Sequence, residues 1–366
     1  MRGLGNIVSR LTAARRSMQA ANANDDGRLV PLGRFGDNPG DLDALLYLPH
    51  AEPTALVVVL HGCTQSASAY DRGSGWSKLA ERHGFAVLFP QQRRANNPNL
   101  CFNWFDPGDA RRGRGEAASI AQMVAQVAAE HRLERSQVFI TGLSAGGAMT
   151  AVMLASYPEL FDGGAIIAGL PFATANTVAE ALERMRGQGS PPRAELGRRA
   201  RAAAAYDANP PKLSVWHGTL DRVVDPANAT AIVNQWRDLH GLGEADGQVE
   251  AVAGHRRERW FGARGHPMVE RYDIKGMGHG APIDTRDAQA CGASGPHMLE
   301  AGICSTRHIA GSWGLVGDVA APREAMDRAV TVPSVEVPAR PVPPTTRPSG
   351  AGAVIEDALR AAGLMR

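Results

Sequence analysis

Ser144 stands in Gly142-Leu143-Ser144-Ala145-Gly146, a G-x-S-x-G pattern that follows Val138-Phe139-Ile140-Thr141 and precedes a long apolar stretch. Glycine and serine are common, so the pattern alone says little. Placed where a strand gives way to a helix, it is the turn that lifts a serine hydroxyl out as a nucleophile. Gly142, Gly146 and Gly147 would keep Cβ atoms out of a turn too tight to hold them. The helix that begins there brings free N–H groups and the positive end of its dipole to the hydroxyl. A serine hydroxyl is a poor nucleophile near neutral pH, so a base must take its proton and an acid must orient that base.

On this kind of turn the acid and the histidine follow the serine in that order. Leu213-Ser214-Val215-Trp216-His217-Gly218 reads as a strand, with Asp221 just past its end and Asp225 four residues further on. Tyr272-Asp273-Ile274-Lys275-Gly276 reads as the end of another strand, and the glycine-rich loop after it carries His279. Strand ends on one edge of a parallel sheet would gather Ser144, Asp221 and His279, with His279 as general base and Asp221 fixing its tautomer. Asp225 is the alternative acid, but with Pro226 after it a helix cap suits it better. His61, His217, His255, His266 and His297 are assigned structural places. The oxyanion donors are expected to be the N–H of Ala145 and that of Cys63, with Thr64 next, from the loop after Leu56-Val57-Val58-Val59-Leu60. Trp104 and Trp216 are candidate walls of an acyl pocket, with core packing the competing assignment for each.

The elements that must position these residues are visible in the hydropathy pattern. Strands are predicted over 44–49, 55–62, 85–90, 138–142, 164–170, 213–218 and 269–276. The fully apolar Leu56–Leu60 suits a strand buried on both faces. Ile120, Met123, Val124 and Val127 mark one side of a helix opened by Glu116. Strand, helix and strand at these lengths mean an α/β fold, a mostly parallel sheet with helices on both faces. The Arg-, Gly- and Pro-rich segment Ala179–Ala205 reads as a helical surface excursion, with a cap over a pocket as its alternative. Three regions are predicted: an amphipathic helix (Leu4, Ile7, Val8, Leu11) and linker over 1–27, a catalytic unit over 28–330, and a proline-rich tether with a short helix over 331–366.

Composition narrows the classes. A net charge of +2 over 366 residues gives no electrostatic case for a nucleic-acid partner. No apolar run approaches the roughly 20 residues of a membrane span. The first residues hold no continuous apolar block, so a standard secretory signal is not expected, and Arg15-Arg16 lacks the apolar segment of a twin-arginine signal. Cys63, Cys101, Cys291 and Cys304 form no C-x-x-C pair, which argues against a zinc site. They suit two disulfides in any of three connectivities, or four buried thiols. The chemistry inferred from Ser144, Asp221 and His279 calls for neither metal nor cofactor.

Five blocks in order, beginning Leu60-His61-Gly62-Cys63-Thr64-Gln65, Cys101-Phe102-Asn103-Trp104-Phe105, Val138-Phe139-Ile140-Thr141-Gly142, Trp216-His217-Gly218-Thr219-Leu220-Asp221 and Gly276-Met277-Gly278-His279-Gly280, resemble the poly(3-hydroxybutyrate) depolymerase family of esterases. These are α/β-hydrolases related to feruloyl and acetylxylan esterases, and the resemblance covers about Ala44 to Pro282. It implies the α/β-hydrolase fold, Ser144, Asp221 and His279 as triad, hydrolysis of short 3-hydroxyalkanoate esters, pairing of Cys63 with Cys101 and of Cys291 with Cys304, and a place outside the cytoplasm. A feruloyl or acetylxylan esterase is the alternative enzyme. A non-catalytic protein that binds polyester granules is the alternative outside enzymes, and a cytoplasmic place is the alternative compartment.

Overall fold

The computed structural model describes residues 27–204, 209–243, 246–287 and 289–316. The expected helices at the two termini and the proline-rich tether lie outside the described residues.

Leu56–Leu60 is buried at every position, and alternate side chains leave it for opposite sides. Leu56, Val58 and Leu60 join one core cluster, Val57 and Val59 the other. Such a strand needs cover on both faces, and the fold supplies it. Among the described residues, β1 (Val30–Pro31), β2 (Asp43–Tyr47), β3 (Leu56–Leu60), β4 (Ala86–Gln91), β5 (Val138–Leu143), β6 (Gly163–Ile167), β7 (Lys212–Gly218), β8 (Gln248–Val252), β9 (His255–Phe261) and β10 (Pro267–Ile274) form one sheet. Their order is β1-β2-β4-β3-β5-β6-β7-β10-β9-β8. The run from β4 to β10 is parallel throughout, and antiparallel strands flank it on both sides. β11 (Ala281–Ile283) and β12 (Met298–Glu300) make a separate parallel pair.

Helices α1 (Ala67–Ser74), α2 (Trp76–His83), α3 (Gly115–Glu130), α4 (Ala145–Ser156), α5 (Val178–Met185), α6 (Arg193–Arg201), α7 (Ala227–Leu239) and α8 (Ser305–Ser312) cover the sheet. Ile120, Met123, Val124 and Val127 of α3 pack with α4 and α7 residues on one face, while Trp76, Leu79 and Ile309 pack on the other. Glu116, expected to open α3 as an N-terminal acid, does sit in its first turn but is buried. Its carboxyl oxygens accept from Gln92 Nε2 and from the N and Nδ2 of Asn103, which fastens the 92–104 loop to the helix.

Each of the seven strands predicted from sequence is present. The β8–β9 hairpin is an addition. Its turn residues Ala253 and Gly254 have φ of 49° and 79°, the double positive φ of a tight hairpin turn. Its faces carry ion pairs of Glu250 with Arg257 and Arg259 and of Arg256 with Glu258 in place of an apolar alternation.

Candidate active site

Strand β5 ends on Leu143, and α4 begins on Ala145, so Ser144 alone makes the turn. Its φ of 57° and ψ of −118° lie outside the ordinary regions for an L-residue, a strain of order 1–3 kcal/mol that neighbouring structure must hold in place. Ser144 N donates to Ile167 O at 2.9 Å, and Ser144 O accepts from Ala148 N at 2.8 Å. The glycines behave as the sequence suggests. A Cβ on Gly142 would lie 2.4 Å from Gly146 O, and one on Gly146 would lie 2.4 Å from Leu60 O. The elbow is thereby wedged against the end of β3.

Parallel pairing of β5, β6, β7 and β10 sets their carboxyl ends along one edge. Ser144 Oγ stands 3.0 Å from His279 Nε2, and His279 Nδ1 donates to Asp221 Oδ2 at 2.7 Å. A carboxylate oxygen accepts, so the proton sits on Nδ1 and the Nε2 lone pair faces the hydroxyl. Asp221 Oδ1 accepts from Val223 N at 2.8 Å and Val224 N at 3.0 Å. Burial alone would raise the Asp221 carboxyl, but hydrogen bonding to His217 and His279 outweighs it and holds the group well below the usual carboxylate range. Asp225 Oδ1 accepts from Ala227 N at 2.8 Å and caps α7, the place the sequence favours for it.

His217 was expected to be structural, and it lies directly against this group. Its Nε2 is 2.9 Å from Val224 O and 3.4 Å from Asp221 Oδ2. Since Val224 O only accepts, that nitrogen carries a proton, and Asp221 is held between two imidazole N–H groups.

Beside the serine, the turn after β3 offers amides in different states. Thr64 N donates to Asn99 O at 2.6 Å, and Gly62 N donates to Gln65 Oε1 at 2.8 Å. Among the described residues, Cys63 N has no partner in that turn, and Ala145 N is one of the unpaired amides at the start of α4. The two donors expected from sequence therefore stand open beside Ser144, while Thr64 is occupied. Cys63 is joined to Cys101 in a disulfide, as the resemblance implies. The second implied bond is not formed. Cys291 and Cys304 are buried thiols with Sγ atoms 3.6 Å apart, well beyond the roughly 2.05 Å of a bond, and Cys291 Sγ is directed to Ser74 O.

A cavity opens over Ser144 and His279. Trp104 and Phe105 form one wall, as expected for Trp104. Trp216 does not reach it. Its indole is fully buried, stacked 3.6 Å from the Tyr272 ring with Nε1 donating to Ser214 Oγ at 3.1 Å. Alternation along β7 explains the difference, because Val215 and Trp216 belong to opposite core clusters and the site lies beyond the strand end. The other wall is Val178, Ala181, Leu182 and Met185 of α5, so this part of the Ala179–Ala205 segment is a cavity wall and not the surface excursion expected. Gln65, Asn97, Asn99 and His297 also line the cavity, none of them singled out from sequence as a site residue. Among the described residues, no group of three or more His, Cys, Asp or Glu gathers as metal ligands would, and no helix is long and apolar enough to cross a membrane.

The profile of the esterase PHB depolymerase family matches residues 42–260. The chain belongs to this family. Family membership makes it a carboxylic ester hydrolase. It is 43% identical over 293 residues to poly(3-hydroxyalkanoate) depolymerase C of Paucimonas lemoignei, covering 79% of this chain and 70% of that protein. Acetylxylan esterase A of Aspergillus oryzae is 30% identical over 70% of this chain and 85% of its own length. Feruloyl esterase B of Talaromyces stipitatus is 28% identical over 70% of this chain and 73% of its own. Among solved structures, acetyl xylan esterase from Aspergillus awamori superposes with a TM-score of 0.67 at 24% identity, covering 79% of this chain and 99% of that one, which shows the shared α/β-hydrolase fold. His279 and His297 lie beyond the span matched by the family profile.

Proposed function

We propose that this family member works as a serine esterase through Ser144, His279 and Asp221. His279 Nε2 takes the Ser144 proton as Oγ attacks the ester carbonyl, and Asp221 stabilises the imidazolium that forms. Cys63 N–H and Ala145 N–H receive the developing oxyanion, where each such donor is worth about 3–4 kcal/mol in the transition state. His279 then protonates the departing alcohol, and a water activated by the same nitrogen releases the acid from Ser144. The observation that carries this reading is the continuous hydrogen-bond chain from Ser144 Oγ through His279 to Asp221.

Short 3-hydroxyalkanoate esters are the proposed substrates, supported by 43% identity to a depolymerase of that class and by a cavity walled mainly by apolar side chains. The second reading, an acetylxylan or feruloyl esterase, is favoured by the relatives of those names. The Cys63–Cys101 disulfide supports a place outside the cytoplasm, where such bonds persist. The test is hydrolysis of p-nitrophenyl esters from acetate to octanoate by the wild type and Ser144→Ala. Short-chain turnover that falls at least about a thousandfold in the variant is expected. A wild type inert across the series would overturn the reading and leave a granule-binding protein as the alternative.

A further inference from the structure

A second histidine stands in the cavity outside the Ser144–His279–Asp221 chain. The His297 ring lies 5.8 Å from that of His279 and nearly perpendicular to it. It occurs in Gly295-Pro296-His297-Met298, a turn closed by Met298 N donating to Gly295 O at 3.0 Å. Proline followed by a residue of positive φ is the turn pattern that favours glycine or asparagine at the third position. His297 occupies that position with a φ of 61°, a strain that glycine would not carry. The fold thus holds an imidazole at the cavity where its backbone favours a smaller residue.

The tautomer of that imidazole follows from its neighbour. His297 Nδ1 lies 3.3 Å from His279 O. A carbonyl only accepts, so Nδ1 carries the proton and a neutral ring is left with Nε2 as an acceptor. Burial, and then the charge His279 acquires, push His297 below the usual histidine range and keep it neutral. Among the described residues, none donates to Nε2. The cavity's amides do not supply the donor either. Asn97 Nδ2 donates to Asn103 Oδ1, and among the described residues no hydrogen bond joins Gln65 or Asn99 to His297. No Lys, Arg, Asp or Glu is among the described residues lining the cavity, so no cation there would hold a carboxylate end of a substrate.

We propose that His297 Nε2 accepts a hydrogen bond from a free hydroxyl on the acyl unit bound at Ser144, so that the site distinguishes hydroxyacyl esters from plain acyl esters. The inference rests on the esterase reading above and deepens it. Within a hydroxyacyl chain, only the unit at the hydroxyl end still has this donor, since interior units have the same oxygen in ester linkage.

The experiment compares kcat/KM for ethyl 3-hydroxybutyrate and ethyl butyrate in a pH-stat, for the wild type, His297→Gly and His297→Gln, with a thermal unfolding scan of each. The wild type should favour the hydroxy ester by between about three- and tenfold, the worth of one neutral hydrogen bond. In His297→Gly the ratio should fall to near one, whatever common factor both esters lose, while Tm holds or rises because glycine suits the turn. His297→Gln, whose side-chain oxygen can accept, should recover part of the ratio. A ratio unchanged in His297→Gly overturns the proposal and leaves the esterase reading standing. A wild type that hydrolyses neither ester overturns both.

Discussion

Asp221→Asn is the most informative change at the proposed triad because the structure dictates how the new side chain must sit. Oδ1 of Asp221 receives the Val223 and Val224 amides, and Oδ2 receives His279 Nδ1. Asparagine is isosteric, and the two backbone amides can only donate, so they take its oxygen and its NH2 turns toward His279, while His217 Nε2 keeps Val224 O as its acceptor. That group donates, and the imidazole must then present a lone pair from Nδ1 and carry its proton on Nε2, facing Ser144 Oγ. The base is lost while every heavy atom keeps its place. In serine hydrolases the equivalent change lowers kcat about ten-thousandfold, or about 5.5 kcal/mol in the barrier. Asp221 does not line the cavity, so KM should stay within about threefold. Steady-state kinetics on p-nitrophenyl butyrate, with a thermal scan to show retained folding, measures both. A variant within tenfold of the wild type would refute the reasoning, and so would an equally large loss in Asp225→Asn.

Gly146→Ala should fail through packing, since its Cβ would meet the Leu60 and His61 carbonyl oxygens at 2.4 and 2.5 Å; a loss of about 3 kcal/mol or more in urea unfolding is expected. Cys101→Ser opens a loop spanning 38 residues, which chain entropy values at about 4 kcal/mol, and the thermal midpoint of the variant should no longer respond to reductant while that of the wild type drops. Burial, followed by the charge of Asp109, pushes the Glu116 carboxyl up to about 8. The folded chain therefore holds a proton that the unfolded chain gives up near its ordinary 4.5, and stability falls as pH rises through this window. Between pH 6.5 and 8 the wild type should lose up to about 2 kcal/mol in urea unfolding, and Glu116→Gln should flatten that slope. A wild type that gains stability over this range would contradict the assignment.

The triad candidates were legible because each stands just past a strand whose apolar composition is unambiguous, and parallel order places such positions side by side. The β8–β9 hairpin was not, because its faces carry cross-strand ion pairs such as Glu250 with Arg257 in place of alternating apolar residues, and its turn is Ala253-Gly254, without the usual Asn-Gly or Asp-Gly signal. The α5 wall did leave a trace. Val178, Ala181, Leu182 and Met185 fall at i, i+3, i+4 and i+7, a stripe masked by the arginines and glycines that follow it. Trp216 shows the opposite error, an aromatic near a triad candidate whose position in the strand sends it to the other side of the sheet. His297 carries no local sign of a cavity residue, since only tertiary contact brings its turn against His279.

The staple between Cys63 and Cys101 has a consequence for how this scaffold can diversify. It joins the turn bearing one proposed oxyanion donor to the loop that leads into Trp104 and Phe105, and Glu116 pins that loop from behind. The proposed donor and the Trp104–Phe105 wall are thereby tied together, and substitutions at positions 97–105 should change substrate range and turnover together. The facing wall on α5 is not bound to the donors in this way; it meets the acid-bearing turn where Asp225 N donates to Met185 O. A library randomised at Val178, Ala181, Leu182 and Met185 should yield variants that exchange one acyl group for another at nearly constant kcat, whereas one built on the stapled wall should yield mostly slower enzymes. Of the two facing walls, α5 is the one where substitutions should shift acyl preference without changing turnover.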